Sequence, residues 1–348
     1  MVRRSKFIMV AVSLLVLGVG FFLAIQDWGP VPYQILPSRG NIQAIAFSPD
    51  SKILALGRRS EVILWDAASR KVVASLKGHT DEVRCVTFSP DGKLLASGSS
   101  DSTVRLWELP SGKEAGILKG HTGMVWTVAF SPDGKVLASG AKRRPLLRLW
   151  DVAGLTQKTD LKLWVEDGGK QLDLEEYGQG EVRCVAFHPD GKVLGVAKTG
   201  APLLIWDLTT GKGEVFARDY PMDSGYLAFS PDGKYLAGDT SPLTIWEVAT
   251  RKKVVTCEGQ GGDVAFSPDG KWLAATRGQM RLWDSTTGKL RVQLSHRRRK
   301  LLQESPFKTV GAMVTGVAFS PDGETLVTGA EDGTIILWSL ATVLKDRQ

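Results

Sequence analysis

The chain contains 348 residues, of which 43% are hydrophobic and 23% are charged, with 38 Gly, 16 Pro and 11 Trp. This composition excludes a disordered chain, a collagen-like chain and a membrane protein with many spans. The net charge of +7 is accounted for by two short runs, residues 3–6 and 297–300, so it does not indicate a nucleic-acid-binding surface. The three cysteines include no C-x-x-C pair, and they therefore predict neither a disulfide framework nor a zinc site.

The N-terminal region contains a 19-residue apolar run, residues 7–25, whose only polar side chain is Ser13. At about 1.5 Å per residue, a helix of this length can cross a hydrocarbon layer of roughly 30 Å. Three cations in residues 1–6 precede the run. The positive-inside rule therefore predicts a cytoplasmic N-terminus, a transmembrane signal anchor over 7–25 and everything that follows outside the cytoplasm. The alternative is a cleaved signal peptide, in which case the protein is secreted.

The remainder of the chain repeats one pattern seven times. Each unit has a Phe followed by a turn of the type S-P-D-G, and a Trp in an apolar segment 17 to 20 residues after that Phe. The pairs are Phe47 and Trp65, Phe88 and Trp107, Phe130 and Trp150, Phe187 and Trp206, Phe229 and Trp246, Phe266 and Trp283, and Phe319 and Trp338. Pro, Asp and Gly favour tight turns, so the flanking apolar runs are predicted to be the strands of a hairpin.

Four strands can be read in the second unit, VRCVTF, KLLASG, TVRLWE and EAGILKG, each bounded by turn residues. Seven such units predict an all-β, seven-bladed β-propeller of four-stranded antiparallel blades over residues 33–340. Residues 26–32 form a short linker before it, and residues 341–348 form a C-terminal tail. Too few residues follow Trp338 to supply a good fourth strand, whereas residues 33–36 stand where a fourth strand would precede the first unit.

The period near 40 residues, the GHT at residues 78–80 and 120–122 and several W-D dipeptides resemble the WD-repeat β-propeller family. The resemblance implies a hydrogen-bonded tetrad inside a blade, complete only in the second unit and partial in the third and seventh. The residues of that tetrad are His79, Ser97, Asp101 and Trp107. The resemblance also implies that residues 33–36 complete the seventh blade and remove its open edge. The S-P-D-G-K turns resemble those of bacterial members, which implies a propeller in the periplasm or outside the cell.

The candidate partner-binding residues lie on the face that the resemblance assigns to the turns between second and third strands, the top face. Arg59, Arg144 and Arg277 each stand six residues before a Trp, so ring geometry predicts that they converge near one opening and attract an anionic ligand. Two long connections on this face are acidic with aromatics (154–180) and basic (296–311), and neither has an assigned role. The further candidates are Arg143, Lys198, Trp164 and Arg298. The alternative, ordinary exposed charges that keep the protein soluble, stays open.

The sequence contains no catalytic motif of the H-E-x-x-H, G-x-S-x-G or Walker type, and its Gly-Lys pairs fall in hairpin turns. We therefore expect a monomeric, non-enzymatic scaffold anchored through residues 7–25. It holds protein partners, acidic ones in particular, on a top face directed away from the membrane. No cofactor, metal or nucleic-acid partner is expected. The alternative is a propeller enzyme or sensor that binds a small anionic ligand at the mouth of the central channel.

Overall fold

The computed structural model describes residues 34–37, 41–144, 146–161, 164–167, 170–173, 180–218, 225–240, 242–257, 259, 262–294 and 313–345. Within these residues no helix is long and apolar enough to cross a membrane. The predicted anchor 7–25, the linker 26–32 and the connection 296–311 all lie outside them.

The described strands form seven sheets, which we number as blades 1 to 7. A single strand, β1 (Gln34–Pro37), precedes the first repeat. Blade 1 contains β2 (Ile42–Phe47), β3 (Ile53–Arg58), β4 (Glu61–Asp66) and β5 (Lys71–Lys77). Blade 2 contains β6 (Val83–Phe88), β7 (Leu94–Ser99), β8 (Thr103–Glu108) and β9 (Glu114–Lys119). Blade 3 contains β10 (Val125–Phe130), β11 (Val136–Ala141), β12 (Leu147–Asp151) and β13 (Thr156–Asp160).

The second half of the ring follows the same strand order. Blade 4 contains β14 (Trp164–Asp167), β15 (Lys170–Asp173), β16 (Val182–Phe187), β17 (Val193–Lys198), β18 (Leu203–Asp207) and β19 (Lys212–Ala217). Blade 5 contains β20 (Leu227–Phe229), β21 (Tyr235–Gly238), β22 (Thr244–Glu247) and β23 (Lys253–Thr256). Blade 6 contains β24 (Asp263–Phe266), β25 (Trp272–Arg277), β26 (Gln279–Asp284) and β27 (Leu290–Leu294). Blade 7 contains β28 (Val314–Phe319), β29 (Thr325–Ala330), β30 (Thr334–Ser339) and β1.

The blades form a closed ring around their first strands, which contact one another in succession from β2 to β28 and back to β2. The core lies between blades, because the Trp of each third strand is buried against the preceding blade. Trp107 packs with Val62 of blade 1, and Trp65 of blade 1 packs with Val327 of blade 7. Burial of one large apolar side chain contributes roughly 1.5–3 kcal/mol. The predicted seven-bladed, all-β propeller is therefore confirmed.

The S-P-D-G turns that join first and second strands share a hydrogen-bond pattern, as blade 2 illustrates. Ser89 Oγ donates to Asp91 Oδ1 at 2.7 Å and accepts from Leu94 N at 2.9 Å, so the short polar side chains replace missing backbone partners. In blade 4, His188 stands in the place of the serine. Its Nε2 lies 2.9 Å from Gly233 O, which connects this turn to the equivalent turn of blade 5.

The ring is closed by the N-terminal strand. β1 pairs antiparallel with β30, with Gln34 opposite Leu337, and it is thus the fourth strand of blade 7, as predicted. A side-chain hydrogen bond joins blade 7 to blade 1, because Thr315 Oγ1 donates to Ile42 O at 2.7 Å. Pairing with β1 leaves β30 without an open edge.

Blade 4 departs from the expected four antiparallel strands. The chain leaves blade 3 after β13 and crosses to blade 4, where β14 pairs in parallel with β19, with Val165 opposite Gly213. β15 then pairs with β14, which makes six strands. The sequence predicts that the acidic connection 154–180 is a top-face connection, but the structure shows that parts of it are strands. Its first part is the outer strand of blade 3, and its middle part covers backbone groups at the outer edge of β19.

The C-terminal segment also differs from the expected tail. Residues Leu340–Lys345 form a short helix, α1. Leu340 and Val343 are buried in a cluster with Val292 of blade 6, so α1 packs on the outer strand β27 of the neighbouring blade.

We predict that the stability of the propeller depends on β1. Removal of residues 1–32 leaves the pairing with β30 intact, whereas removal of residues 1–40 also removes β1 and exposes the edge of β30. Loss of about four strand hydrogen bonds should lower the free energy of unfolding by about 2–4 kcal/mol and promote aggregation. Urea unfolding and light scattering of the two variants measure both effects. Equal stability of the two variants would contradict the closure.

Candidate functional site

In blade 2, four side chains form a hydrogen-bonded chain below the top face, which we define as the end that carries the turns between second and third strands. Trp107 Nε1 donates to Ser97 Oγ at 2.9 Å, and Ser97 Oγ lies 2.8 Å from His79 Nε2. His79 Nδ1 lies 2.7 Å from Asp101 Oδ2, so the network assigns the ring proton to Nδ1. Burial acts to raise the pKa of Asp101, but hydrogen bonds from His79 and Thr103 outweigh it and hold that pKa well below its usual range. Because these polar groups hydrogen-bond to one another, we interpret the tetrad as a network that stabilises the blade and not as a binding or catalytic site.

Two other blades contain parts of this network. In blade 3, Ser139 Oγ accepts from Trp150 Nε1 at 2.7 Å and lies 2.6 Å from His121 Nε2. In blade 7, Trp338 Nε1 donates to Thr328 Oγ1 at 2.8 Å. A second-strand hydroxyl therefore accepts from the indole in blades 2, 3 and 7.

The top end of the central ring carries a stack of three side chains that the sequence alone did not single out. The first strands of blades 2, 3 and 4 each have a bulge at their second residue, which is Arg84, Trp126 or Arg183. A bulge leaves its residue out of the strand register and redirects the side chain. Arg84 Cζ lies 5.0 Å and Arg183 Cζ 4.3 Å from the centroid of the Trp126 ring. Each cation–π contact contributes about 0.5–2 kcal/mol.

Neighbouring charges hold both guanidinium groups in place. Arg84 Nη2 lies 2.6 Å from Glu82 Oε2. Arg183 Nε lies 3.0 Å from Glu181 Oε2, in contact but out of hydrogen-bonding alignment. Glu181 Oε1 also lies 3.1 Å from Lys142 Nζ, so this buried carboxylate links the stack to the turn between β11 and β12. Two carboxylates thus serve three cations.

The turn between β11 and β12 extends the positive charge. Lys142, Arg143 and Arg144 are all exposed there. Thr122 Oγ1 donates to Arg144 O at 2.7 Å, which fixes the turn against the connection that enters blade 3. We call this group of residues the basic surface. It consists of Arg84, Trp126, Lys142, Arg143, Arg144 and Arg183. The repeated segments VRCV, VWTV and VRCV are the sequence signal that would have located the stack.

The three arginines predicted to converge occupy equivalent turns. Arg59, Arg144 and Arg277 are exposed at the turns between second and third strands of blades 1, 3 and 6, so they share the top face. Their blades are not neighbours. Of the three, only Arg144 adjoins the stack, and convergence of all three at one opening stays a prediction.

The remaining predicted residues differ in position. Lys198 is fully buried, with 0% of its surface exposed, and it ends β17 beside Gly180. Burial lowers the pKa of Lys198, and the nearby charge of Arg144 lowers it further. The prediction that Lys198 is part of an exposed binding surface is therefore wrong. Trp164 begins β14 at the outer edge of blade 4, and Arg298 lies outside the described residues.

Inner strands are joined by side-chain bonds from one blade to the next. Val185 N donates to Thr127 Oγ1 and Val317 N donates to Asp263 Oδ2, both at 3.2 Å. Desolvation raises the pKa of Asp263 to about 6, although the N–H groups of Val317 and Val264 act to lower it. Asp263 is thus an inner-strand carboxylate whose ionisation opposes folding.

The described residues contain no cluster of three or more His, Cys, Asp or Glu side chains that could hold a metal ion. The three cysteines are free thiols, and desolvation raises their pKa values to about 12, which leaves little reactive thiolate at neutral pH. They are Cys85, Cys184 and Cys257.

The blades, their repeated Phe/Trp frame and the tetrad define a seven-bladed propeller of the WD type. The chain belongs to the WD40 family (WD domain, G-beta repeat), whose model matches residues 70–108, 112–151, 171–201, 251–284 and 305–339. The matches fall on blades 2, 3, 4, 6 and 7.

Similar curated proteins are much longer than this chain. It is 26% identical over 244 residues to Periodic tryptophan protein 2 of Arabidopsis thaliana, covering 68% of this chain and 26% of that protein. It is 28% identical over 110 residues to the Periodic tryptophan protein 2 homolog of Schizosaccharomyces pombe, covering 31% of this chain and 13% of that protein. It is 40% identical over 78 residues to NACHT domain- and WD repeat-containing protein 1 of Mus musculus, covering 22% of this chain and 5% of that protein. The chain thus spans about a quarter or less of each relative.

We predict a specific pH dependence from Asp263. Because its pKa in the folded protein, about 6, exceeds the value of about 4 in an unfolded chain, the native state binds more protons between these values. The contribution of Asp263 to the free energy of unfolding therefore falls as pH rises from about 4 to 6 and is constant above. The variant Asp263→Asn lacks this loss and should gain about 1–3 kcal/mol relative to the wild type across that interval.

Urea unfolding at a series of pH values measures the difference between the two proteins. The matched control is Asp133→Asn, because the hydrogen bond from Ser131 lowers the pKa of Asp133. That variant should lose stability relative to the wild type as pH rises. A difference between wild type and Asp263→Asn that does not change with pH would show that this carboxylate is not destabilised.

Proposed function

We propose that this propeller is a non-catalytic scaffold that holds an acidic protein partner on its top face, at the basic surface. The observation that carries the proposal is the stack of Arg84, Trp126 and Arg183 on three adjacent first strands. Arginine and tryptophan are the residue types enriched at the centres of protein interfaces, where they combine a large contact area with directional polar groups.

The composition of the basic surface supports an acidic partner. Three of its cations, Arg84, Lys142 and Arg183, share two carboxylates, Glu82 and Glu181. The stack is held in place before binding, so little side-chain entropy is lost when a partner docks. Arg143 and Arg144 stand exposed beside it and can steer a negatively charged segment toward the stack.

We further propose that residues 7–25 anchor the chain in a membrane and that the propeller lies outside the cytoplasm. This proposal is supported by the apolar run and by the three cations in residues 1–6. β1 is the outer strand of its blade and runs toward the top face. The seven-residue linker 26–32 spans at most roughly 25 Å, so the S-P-D-G face would adjoin the bilayer and the basic surface would face away from it.

A labelled decaglutamate peptide tests the basic surface. Fluorescence anisotropy should show binding to the wild type that weakens as salt is raised, because exposed charges are screened. Replacement of Arg59, Arg144 and Arg277 by Ser, or of Arg143 and Arg144 by Ser, should weaken binding about three- to tenfold at low salt. Comparison of the two variants separates a contribution of the whole ring from one of blade 3.

The matched control removes three cations from the opposite face. Lys93, Lys135 and Lys271 occupy one equivalent position in the S-P-D-G turns, and their replacement by Ser should leave affinity unchanged. Thermal unfolding should be equal in all variants, since every replaced side chain is exposed. If affinity falls in this control and persists in the top-face variants, the peptide binds the S-P-D-G face and the proposal is wrong.

A reporter fused after Gln348 tests the topology. An enzyme that is active only outside the cytoplasm should be active in this fusion, and the protein should stay in the membrane fraction after an alkaline wash. Activity of a cytoplasm-specific reporter would contradict the topology. A soluble chain that begins near residue 21 would show that the N-terminal segment is a cleaved signal peptide and not a retained anchor.

A further inference from the structure

A large cavity lies between the outer parts of blades 3 and 4, near their S-P-D-G turns. Its volume is about 1070 Å³, which is large enough for a small organic molecule. Residues of β11, β12 and β13 line one side, and residues of β18 and β19 line the other. The cavity lies where the chain leaves blade 3 after β13 and joins blade 4 as β14, so it arises from the feature that distinguishes this pair of blades.

The floor of the cavity is apolar. It is formed by Leu149, Val165, Phe187 and Trp206, among others. Trp206 is 2% exposed, and its Nε1 has no hydrogen-bond acceptor among the described residues. The cause is a substitution, because Val196 occupies the second-strand position that carries a hydroxyl in blades 2, 3 and 7. An apolar floor favours a ligand that is mostly hydrocarbon.

The rim of the cavity carries three lysines, Lys158, Lys192 and Lys212, and three aspartates. Lys158 and Lys192 are exposed, and their ammonium groups make no ion pair or hydrogen bond within the described part of the chain. The three rim carboxylates are already engaged. Asp133, Asp160 and Asp190 are held by Ser131, Arg148 and His188 at 2.6, 3.1 and 2.8 Å, respectively. Lys192 also attracts Asp190 electrostatically, so an anionic group at the rim would find Lys158 and, shared with Asp190, Lys192, while the carboxylate of Asp133 already accepts a hydrogen bond from Ser131.

We propose that the cavity between blades 3 and 4 binds a small amphiphilic carboxylate, with its apolar body on the floor around Trp206 and its carboxylate between Lys158 and Lys192. This site is separate from the basic surface on the top face, and it adds a small-molecule ligand to a protein-binding scaffold. Desolvation of the hydrocarbon drives binding, and the two lysines select an anion.

Saturation-transfer NMR with the full chain in lipid nanodiscs tests the site, with empty nanodiscs as the blank. Three probes share one apolar body and differ in charge: 4-phenylbutyrate, 4-phenylbutanol and 4-phenylbutylamine. We expect 4-phenylbutyrate to bind tightest and 4-phenylbutylamine weakest. Replacement of both Lys158 and Lys192 by Gln should weaken 4-phenylbutyrate about three- to tenfold and leave 4-phenylbutanol unchanged.

Two further variants keep the test decisive. Val136→Phe fills part of the cavity from β11 and should weaken all probes that bind there. Lys93→Gln with Lys271→Gln alters equivalent turn positions in blades 2 and 6 and should change nothing. Thermal unfolding identifies any variant that fails to fold. If Val136→Phe fails to fold, the double replacement of Lys158 and Lys192 still tests the site, because both side chains are exposed. Equal binding of the three probes, or 4-phenylbutyrate affinity that is unaltered in both cavity variants, would overturn the proposal while leaving the decaglutamate result untouched.

Discussion

The Trp of every third strand packs against the blade that comes before it, and the rest of the structure depends on this contact. Trp150 packs on Leu106 of blade 2, and Trp338 packs on Leu282 of blade 6. Because the contact runs in one direction around the ring, each blade completes the core of its predecessor and no blade encloses a core of its own. These contacts form a closed ring because Trp65 of blade 1 packs on blade 7. The pairing of β1 with β30 then secures the closed state from the outside.

Closure of the ring also determines where function can reside. The Trp contacts and S-P-D-G turns occupy the lower and outer parts of the blades, so the sequence there is constrained by packing. In blades 2, 3 and 4 the second residue of the first strand is released from the strand register by a bulge. The side chains of Arg84, Trp126 and Arg183 therefore stack on one another rather than follow the strand register.

Local signals were sufficient to predict the architecture from sequence. The Phe-to-Trp spacing and the turn residues predicted seven blades, because both depend on residues close in the chain. The role of β1 required the resemblance to the WD-repeat family as well, since Gln34 pairs with Leu337 at the other end of the repeats. The site was less predictable. Stacking of Arg84 and Arg183 on Trp126 joins three blades, and Lys198 is buried beside Gly180, so neither leaves a periodic pattern. The parallel pairing of β14 with β19 is likewise non-local.

Blade 4 shows how loss of one local network permits a new feature. With Val196 in place of a hydroxyl, Trp206 makes no internal hydrogen bond to a described residue, and the blade lacks the polar chain that stiffens blade 2. Two substitutes stabilise it from outside. β14 adds a strand to its outer edge, and His188 bonds to Gly233 O of blade 5. Blade 4 is thus tied to its own added strands and to blade 5, and Trp206 still packs in one cluster with Leu149 of blade 3 beside the cavity. The cavity therefore lies beside an intact contact between blades 3 and 4, at the point where the chain crosses from β13 to β14, and the regular repeats do not require it.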